Sequence, residues 1–169
     1  MRNGGKYVVA QRQAGVAGAE GLAAATRAAI AGSHRLFGFY GAGSHLPFQT
    51  ADGDYQSFNV RAKSEFYTPA DLHENPTLAQ LTASALEYLQ SRPNGFWLMV
   101  EAGDVDWANH DDNLDNSIGA VNSGDAAVKV ITDWVEQHSN WNETVLIVTA
   151  DHGHYLVLDR PEDLIPPAP

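Results

Sequence analysis

A chain of 169 residues that is 44% hydrophobic and carries four Trp is sized for one domain around a single core, and it is not an intrinsically disordered protein. It has no cysteine, which excludes disulfides and thiolate zinc sites, so any transition metal must be held by His, Asp and Glu. A net charge of −11 argues against nucleic acid as a partner. No apolar run reaches about eighteen residues, so membrane insertion is not expected.

The start, MRNGGKYVVAQRQAG, lacks the apolar region of a secretory signal. Tyr7 to Gln11 (YVVAQ) reads as a short strand and residues 15–21 as a loop. Leu22 to Ile30 (LAAATRAAI) has strong helix propensity and stops at Gly32. Arg35 to Tyr40 (RLFGFY) reads as a buried strand. From Gly41 to Asn75 the expectation is a long loop, broken by Pro47, Gly53 and Pro69. Asn75 and Pro76 then open a helix as N-cap and first residue, with Leu78, Leu81, Ala85 and Leu89 at helical spacing. After the Pro93-Asn94-Gly95 turn, Phe96 to Val100 is a continuous apolar strand. A longer helix runs from about Leu114 to Gln137, with Ile118, Val121, Val128, Ile131 and Val135 on one face. Asn140 to Glu143 is a polar turn, Val145 to Thr149 is the last strand, and the tail RPEDLIPPAP is Pro-rich and extended.

Strands alternate with helices and are apolar throughout. That pattern predicts an α/β fold: a doubly wound, mostly parallel sheet with helices on both faces. Ligands of such sheets bind beyond the carboxyl ends of the strands. Two of the expected strands end there in ligand-type side chains. FWLMVEAGDVDWANH delivers Glu101, Asp104, Asp106 and His110, and VLIVTADHGHY delivers Asp151, His152 and His154. Between Glu101 and Asn116 lie six acidic residues and no Lys or Arg, a density that must be solvated or neutralised by cations.

Asp151 directly after LIVTA cannot run on into a dry core unpaired. Asp and His side by side can both reach one zinc ion, while Gly153 permits a tight turn and His154 becomes a ligand or orients one. The bland reading makes Asp151 a helix cap and the two His ordinary surface. Asp106 and His110, four apart, share a face if the turn enters a helix. Glu101 suits a harder ion such as Mg²⁺. Here the bland reading is a solvated acidic loop. An EF-hand would need Gly and Glu where counting from Asp104 gives Asn109 and Asp115. Two such clusters together point to a pair of metals clamping a phosphoryl group in transfer.

VEAGDVDWANH, followed some forty residues later by VTADHGHY, resembles the alkaline phosphatases, whose motifs run VEG-x-x-ID-x-x-x-H and TADH-x-H. The likeness extends from LFGFYGAGSHLPF through NPTLAQLTASAL to Tyr155. The resemblance implies a phosphate monoester hydrolase with two Zn²⁺ and one Mg²⁺. Glu101 would bind Mg²⁺, Asp106 and His110 one zinc, and Asp151 and His152 the other. His154 would be hydrogen-bonded towards Asp106, and Trp107 would lie near the phosphate. Phosphoglycerate mutases and phosphodiesterases share a TADHG-like turn, and a non-catalytic metal- or phosphate-binding relative is a further alternative. The family's Ser or Thr nucleophile, its shared Asp and its phosphate-clamping Arg have no matching segment before Leu36, and its final His ligand none after Tyr155. Residues 1–169 therefore read as one partial domain, the metal-binding half, with doubtful activity in isolation. His34, His45, His73 and His138 stand outside the motifs and read as surface or loop residues. The family further implies a periplasmic or secreted location and admits a homodimer.

Overall fold

The structure, a computed structural model, describes residues 6–43, 45–55, 66–154 and 160. The expected Pro-rich tail, residue 160 apart, lies outside them. The described residues form an α/β arrangement of two strands and five helices: β1 (Tyr7–Gln11), α1 (Gly18–Ala31), β2 (Arg35–Phe39), α2 (Pro69–Glu74), α3 (Leu78–Gln90), α4 (Asp104–His110) and α5 (Leu114–His138).

β1 and β2 pair in parallel, Tyr7 opposite Arg35 and Gln11 opposite Phe39, with α1 as the crossover. One face of this ribbon is the core. Val8 and Ala10 pack there with Leu22, Ala25 and Ala29 of α1, and Leu36, Tyr40, Leu81 and Tyr88 close around them. Alanine-rich α1 lies close because its side chains are short, and it begins at Gly18, four residues earlier than Leu22. A Cβ at Gly18 would stand 2.4 Å from the carbonyl carbon of Asn75, so only glycine lets α1 abut the junction of α2 and α3.

Asn75 proves to be the residue that closes α2, not the cap that opens α3. Its side chain accepts from the Gly41 N–H at 2.7 Å and donates to the Asp71 carbonyl at 2.8 Å, so it serves two neighbours and neither is α3. α3 starts at Thr77, whose hydroxyl accepts from Gln80 N while the Gln80 side chain accepts from Thr77 N. The same reciprocal box, Thr68 with Asp71, opens α2 inside the stretch expected to be one long loop. Arg12 ties α2 to the β1–α1 turn: its guanidinium lies 2.7 Å from Asp71 and 2.8 Å from Glu74, and Glu74 also accepts from Gly15 N–H at 2.7 Å.

α5 packs against α3 and α4. Its buried positions are small or polar (Asn116, Ser117, Gly119, Ala120, Ala127) together with Val135, whereas Ile118 and Val121 of the expected apolar face are exposed. Val128 and Ile131 of that face are half-buried, and in the first half of the helix close approach explains the departure. A Cβ at Gly119 would stand 2.1 Å from the carbonyl oxygen of Gln49, so here the helix touches the backbone of the 45–55 loop. Asn116 Nδ2 donates to that same carbonyl at 2.9 Å, and Asp115 accepts from Ala51 N–H at 2.9 Å.

Phe96–Val100 and Val145–Thr149, expected as buried strands, pair with no neighbour among the described residues. Trp97 is 81% exposed and Val145 83%, and Met99, Ile147 and Val148 are nearly as open. On the uncovered face of the ribbon Tyr7, Val9, Phe37 and Phe39 are exposed too. The mostly parallel sheet with helices on both faces is thus present only as a two-stranded ribbon covered on one face. The apolar strand sequences are there, but among the described residues no third strand stands beside them to accept their backbone hydrogen bonds.

Two outcomes follow for stability. Gly119→Ala lowers it by about 2 kcal/mol, the usual cost of overpacking, although Ala is the better helix former, whereas Gly95→Ala, which meets open space, changes the urea midpoint little. Hydrogen bonds from Thr68 and then Arg12 hold Asp71 below the ordinary carboxylate range, and Gly15 N–H and then Arg12 do the same for Glu74. Their contribution is present above the unfolded carboxylate pKa and is lost as pH falls through the lowered folded values. Melting temperature should therefore drop on that acid limb, and Glu74→Gln should make the drop shallower; an unchanged limb would refute the assignment.

Candidate metal centre

α4 begins at Asp104, straight after the extended Phe96–Val100 segment, and its seven residues project Asp106 and His110 from neighbouring turns of one face. Asp104 and Asp106 sit in its first turn and His110 in its last, the charge order a helix dipole favours. The second half arrives from 145–154, 48 residues from Asp106 to His154 along the chain.

The two halves meet at one atom. Asp106 Oδ1 lies 3.0 Å from His154 Nε2, 3.3 Å from His152 Nε2 and 3.6 Å from His110 Nε2. The His154 ring stands 4.8 Å from the rings of both His110 and His152, edge-on to the first. Asp106, His152 and His154 have ligand atoms that all lie within 4.8 Å of one another. His154 is the most enclosed of the three imidazoles.

The tautomer of His152 is fixed by its neighbour. A carbonyl only accepts, so His152 Nδ1 donates to Gly153 O at 3.1 Å, which turns Nε2 towards Asp106. In the neutral ring that Nε2 is a lone pair, and a lone pair 3.3 Å from a carboxylate oxygen is repulsive. A cation must join them: a proton in acid, or a divalent metal when the ring is neutral. The hydrogen bond to Gly153, then Asp151 and Asp106, raise the His152 pKa against the opposing cost of burial. Nitrogen and carboxylate donors converging in this way suit zinc.

The remaining expected ligands stand further out. Asp151 has a 92% exposed side chain; one oxygen accepts from His152 N–H at 3.0 Å and the other lies 3.8 Å from His152 Nε2. Glu101 is exposed at the end of its segment, its carboxyl folded back beside Gly103. Trp107, half exposed, faces His45 with ring centroids 5.9 Å apart. His34, His73 and His138 are exposed, and His138 stacks on Trp134. His45 is different: it is half-buried, its ring lies tilted against Phe48 at 4.3 Å, and it lies against Trp107. Beside it, burial pushes the Asp104 carboxyl up to about 6, with His45 opposing the rise. No motif marks His45; the only signal in the sequence is an aromatic three residues on, as Phe48.

An α/β chain that gathers a carboxylate and imidazoles beyond extended apolar segments has the donor set of a divalent-metal protein. Comparison with known proteins fixes the family. The alkaline phosphatase family model matches residues 33–162, and the chain belongs to that family. It is 35% identical over 120 residues to alkaline phosphatase H of Pseudomonas aeruginosa, which covers 71% of this chain and 24% of that protein. It is 36% identical over 91 residues to the Escherichia coli alkaline phosphatase, covering 54% of the chain and 19% of the relative. Over 86 residues it is 36% identical to streptomycin-6-phosphate phosphatase of Streptomyces griseus, covering 47% and 18%. The chain thus spans a quarter or less of the length of these relatives. No described helix is long and apolar enough to cross a membrane.

Imidazole titration by NMR in the metal-free chain should place His152 above the ordinary value of 6.5. Asp151→Asn should move it down, and saturating zinc should abolish the titration. A His152 midpoint that ignores both changes would undo the geometry just described.

Proposed function

We infer that this chain is the metal-binding portion of a phosphate monoesterase, and that Asp106 is its central ligand. The observation that carries this reading is the convergence of three imidazole nitrogens on Asp106 Oδ1, within a chain of the alkaline phosphatase family. Asp106 and His110 would hold one Zn²⁺, Asp151 and His152 a second, and Glu101 a Mg²⁺. When bound, such ions draw negative charge away from a phosphoryl group in transfer.

The chain's own residues have distinct tasks in this reading. His154 at 3.0 Å fixes the orientation of the Asp106 carboxylate, as outer partners of ligands commonly do. Gly153 O selects the His152 tautomer with Nε2 free for a metal. Trp107, one residue past Asp106, would flank the phosphate. The nucleophilic hydroxyl, the phosphate-clamping Arg and one further imidazole ligand would come from sequence other than these 169 residues. So would the strands that cover Trp97, Met99, Val145 and Ile147. The substrates would be phosphate monoesters, met outside the cytoplasm.

Zinc supplied to the chelator-treated chain should raise its melting temperature. The expected stabilisation is roughly 2.7 kcal/mol at free zinc about a hundred times Kd, and Asp106→Asn should remove most of it. A melting temperature indifferent to both chelator and zinc would end the metal reading. In the whole gene product, Asp106→Ala should abolish hydrolysis of an aryl phosphate.

A further inference from the structure

The 45–55 stretch, expected only as part of a long loop, is held in place by α5. Its backbone is anchored to α5 through Asn116, Asp115 and the close approach at Gly119. Phe48 is buried, and its N–H donates to the Tyr67 hydroxyl at 3.0 Å. His45 rides on this base. Its carbonyl accepts from Ala42 N–H at 2.9 Å and its Nδ1 donates to Leu46 O at 3.1 Å. A Cβ at Gly41 would stand 2.9 Å from the His45 carbonyl, so the loop can close there only on glycine. Its ring lies 4.3 Å from that of Phe48, tilted by 37°, and 5.9 Å from the Trp107 indole, tilted by 48°.

Trp107 itself is 52% exposed. A tryptophan serving the core would be covered; this one is open, with the half-buried His45 ring tilted against it by 48°. Trp107 follows Asp106 directly in α4, so its backbone is anchored about 3.8 Å from that of the central carboxylate. An indole free to rotate about two side-chain torsions loses entropy when a ligand stacks on it; one already backed does not.

We propose that His45 is a positioning residue: backed by Phe48, it holds the Trp107 indole as a flat wall of the centre headed by Asp106, and this wall favours phosphate esters with planar aromatic leaving groups over small aliphatic ones. The proposal deepens the phosphatase reading and rests on it.

The test uses the full chain loaded with zinc and two non-hydrolysable probes, phenylphosphonate and methylphosphonate. Phenylphosphonate should bind roughly three- to tenfold more tightly, the range an aromatic contact supplies. His45→Ala should bring the ratio close to one, and His45→Phe, which keeps a ring there, should restore it. In the 5-fluorotryptophan-labelled chain, the ¹⁹F resonance that Trp107→Phe removes should shift on adding phenylphosphonate. The same resonance should move towards its solvent-exposed position in metal-free His45→Ala. If zinc and methylphosphonate bind but the preference is absent, or survives His45→Ala, the proposal is overturned and the phosphatase reading stands. If zinc does not bind at all, that reading fails and takes the proposal with it. Should His45→Ala unfold the chain, Trp107→Leu must collapse the ratio instead; a ratio that persists there is equally fatal.

Discussion

One carboxylate oxygen, Asp106 Oδ1, settles how the two halves of this chain meet. The segment from Val145 to Thr149 has no sheet to lie in, and its side chains are exposed. What holds its far end is the pair of contacts from His152 and His154 to Asp106. The placement is electrostatic before it is steric. The chain carries a net charge of −11, and six carboxylates crowd residues 101–115 without one Lys or Arg. Imidazoles are the available counterweight, but at neutral pH they compensate a carboxylate only through a shared cation. On the proposed metal reading, folding and metal binding would be coupled at this atom, since the arrangement that orders the 145–154 segment is also the one that would hold the ion.

Around that atom the rigidity comes from small residues, not large ones. α5 carries α4 on one side and grips the 45–55 loop on the other, and its contacts run through Gly119, Asn116 and Asp115. Backbone-to-backbone approach leaves less room for rotamer exchange than interlocking long side chains would. A loop held in this manner can present His45 and Trp107 at a fixed separation although neither belongs to the core.

The helices were legible because propensity and periodicity act locally, and local terms decide them. α1, α3 and α5 cover the alanine run and the apolar spacing, although α1 starts four residues before Leu22 and α3 opens after Thr77. α2 was legible in principle, since Thr68-Pro69-Ala70-Asp71 is a capping box with proline at the first position, but the prolines nearby read more strongly as breakers. Asn75-Pro76 misleads for the opposite reason: the dipeptide has the form of a helix start, yet the Asn side chain is taken by Gly41 and Asp71. In the site, the Asp106–His110 spacing and the Asp-His-Gly-His turn pointed at the cluster, because ligand chemistry leaves a local signature. His45 left little: Phe48 lies three residues on, but its other ring contact, Trp107, is 62 positions away, outside any short window along the sequence.

The apolar segments show where sequence and structure diverge for a physical reason. FWLMV and VLIVT have the composition of strands buried on both faces, and burying one such side chain fully is worth about 1.5–3 kcal/mol. Half a dozen left open forgo roughly 10 kcal/mol, as much as the whole stability of an ordinary domain. Tyr7, Val9, Phe37 and Phe39 present a further uncovered face on the same ribbon. Such a surface is tolerable only when something covers it, and unpaired backbone along an extended apolar segment seeks a strand as its partner. The same two segments lead into Glu101 and Asp151, two expected ligands that are exposed. A strand paired along each would fix the direction in which it ends. On the proposed reading, the covering of the apolar surface and the closing of the metal centre would be one event: a strand that paired with these segments would also aim the carboxylates at their ends.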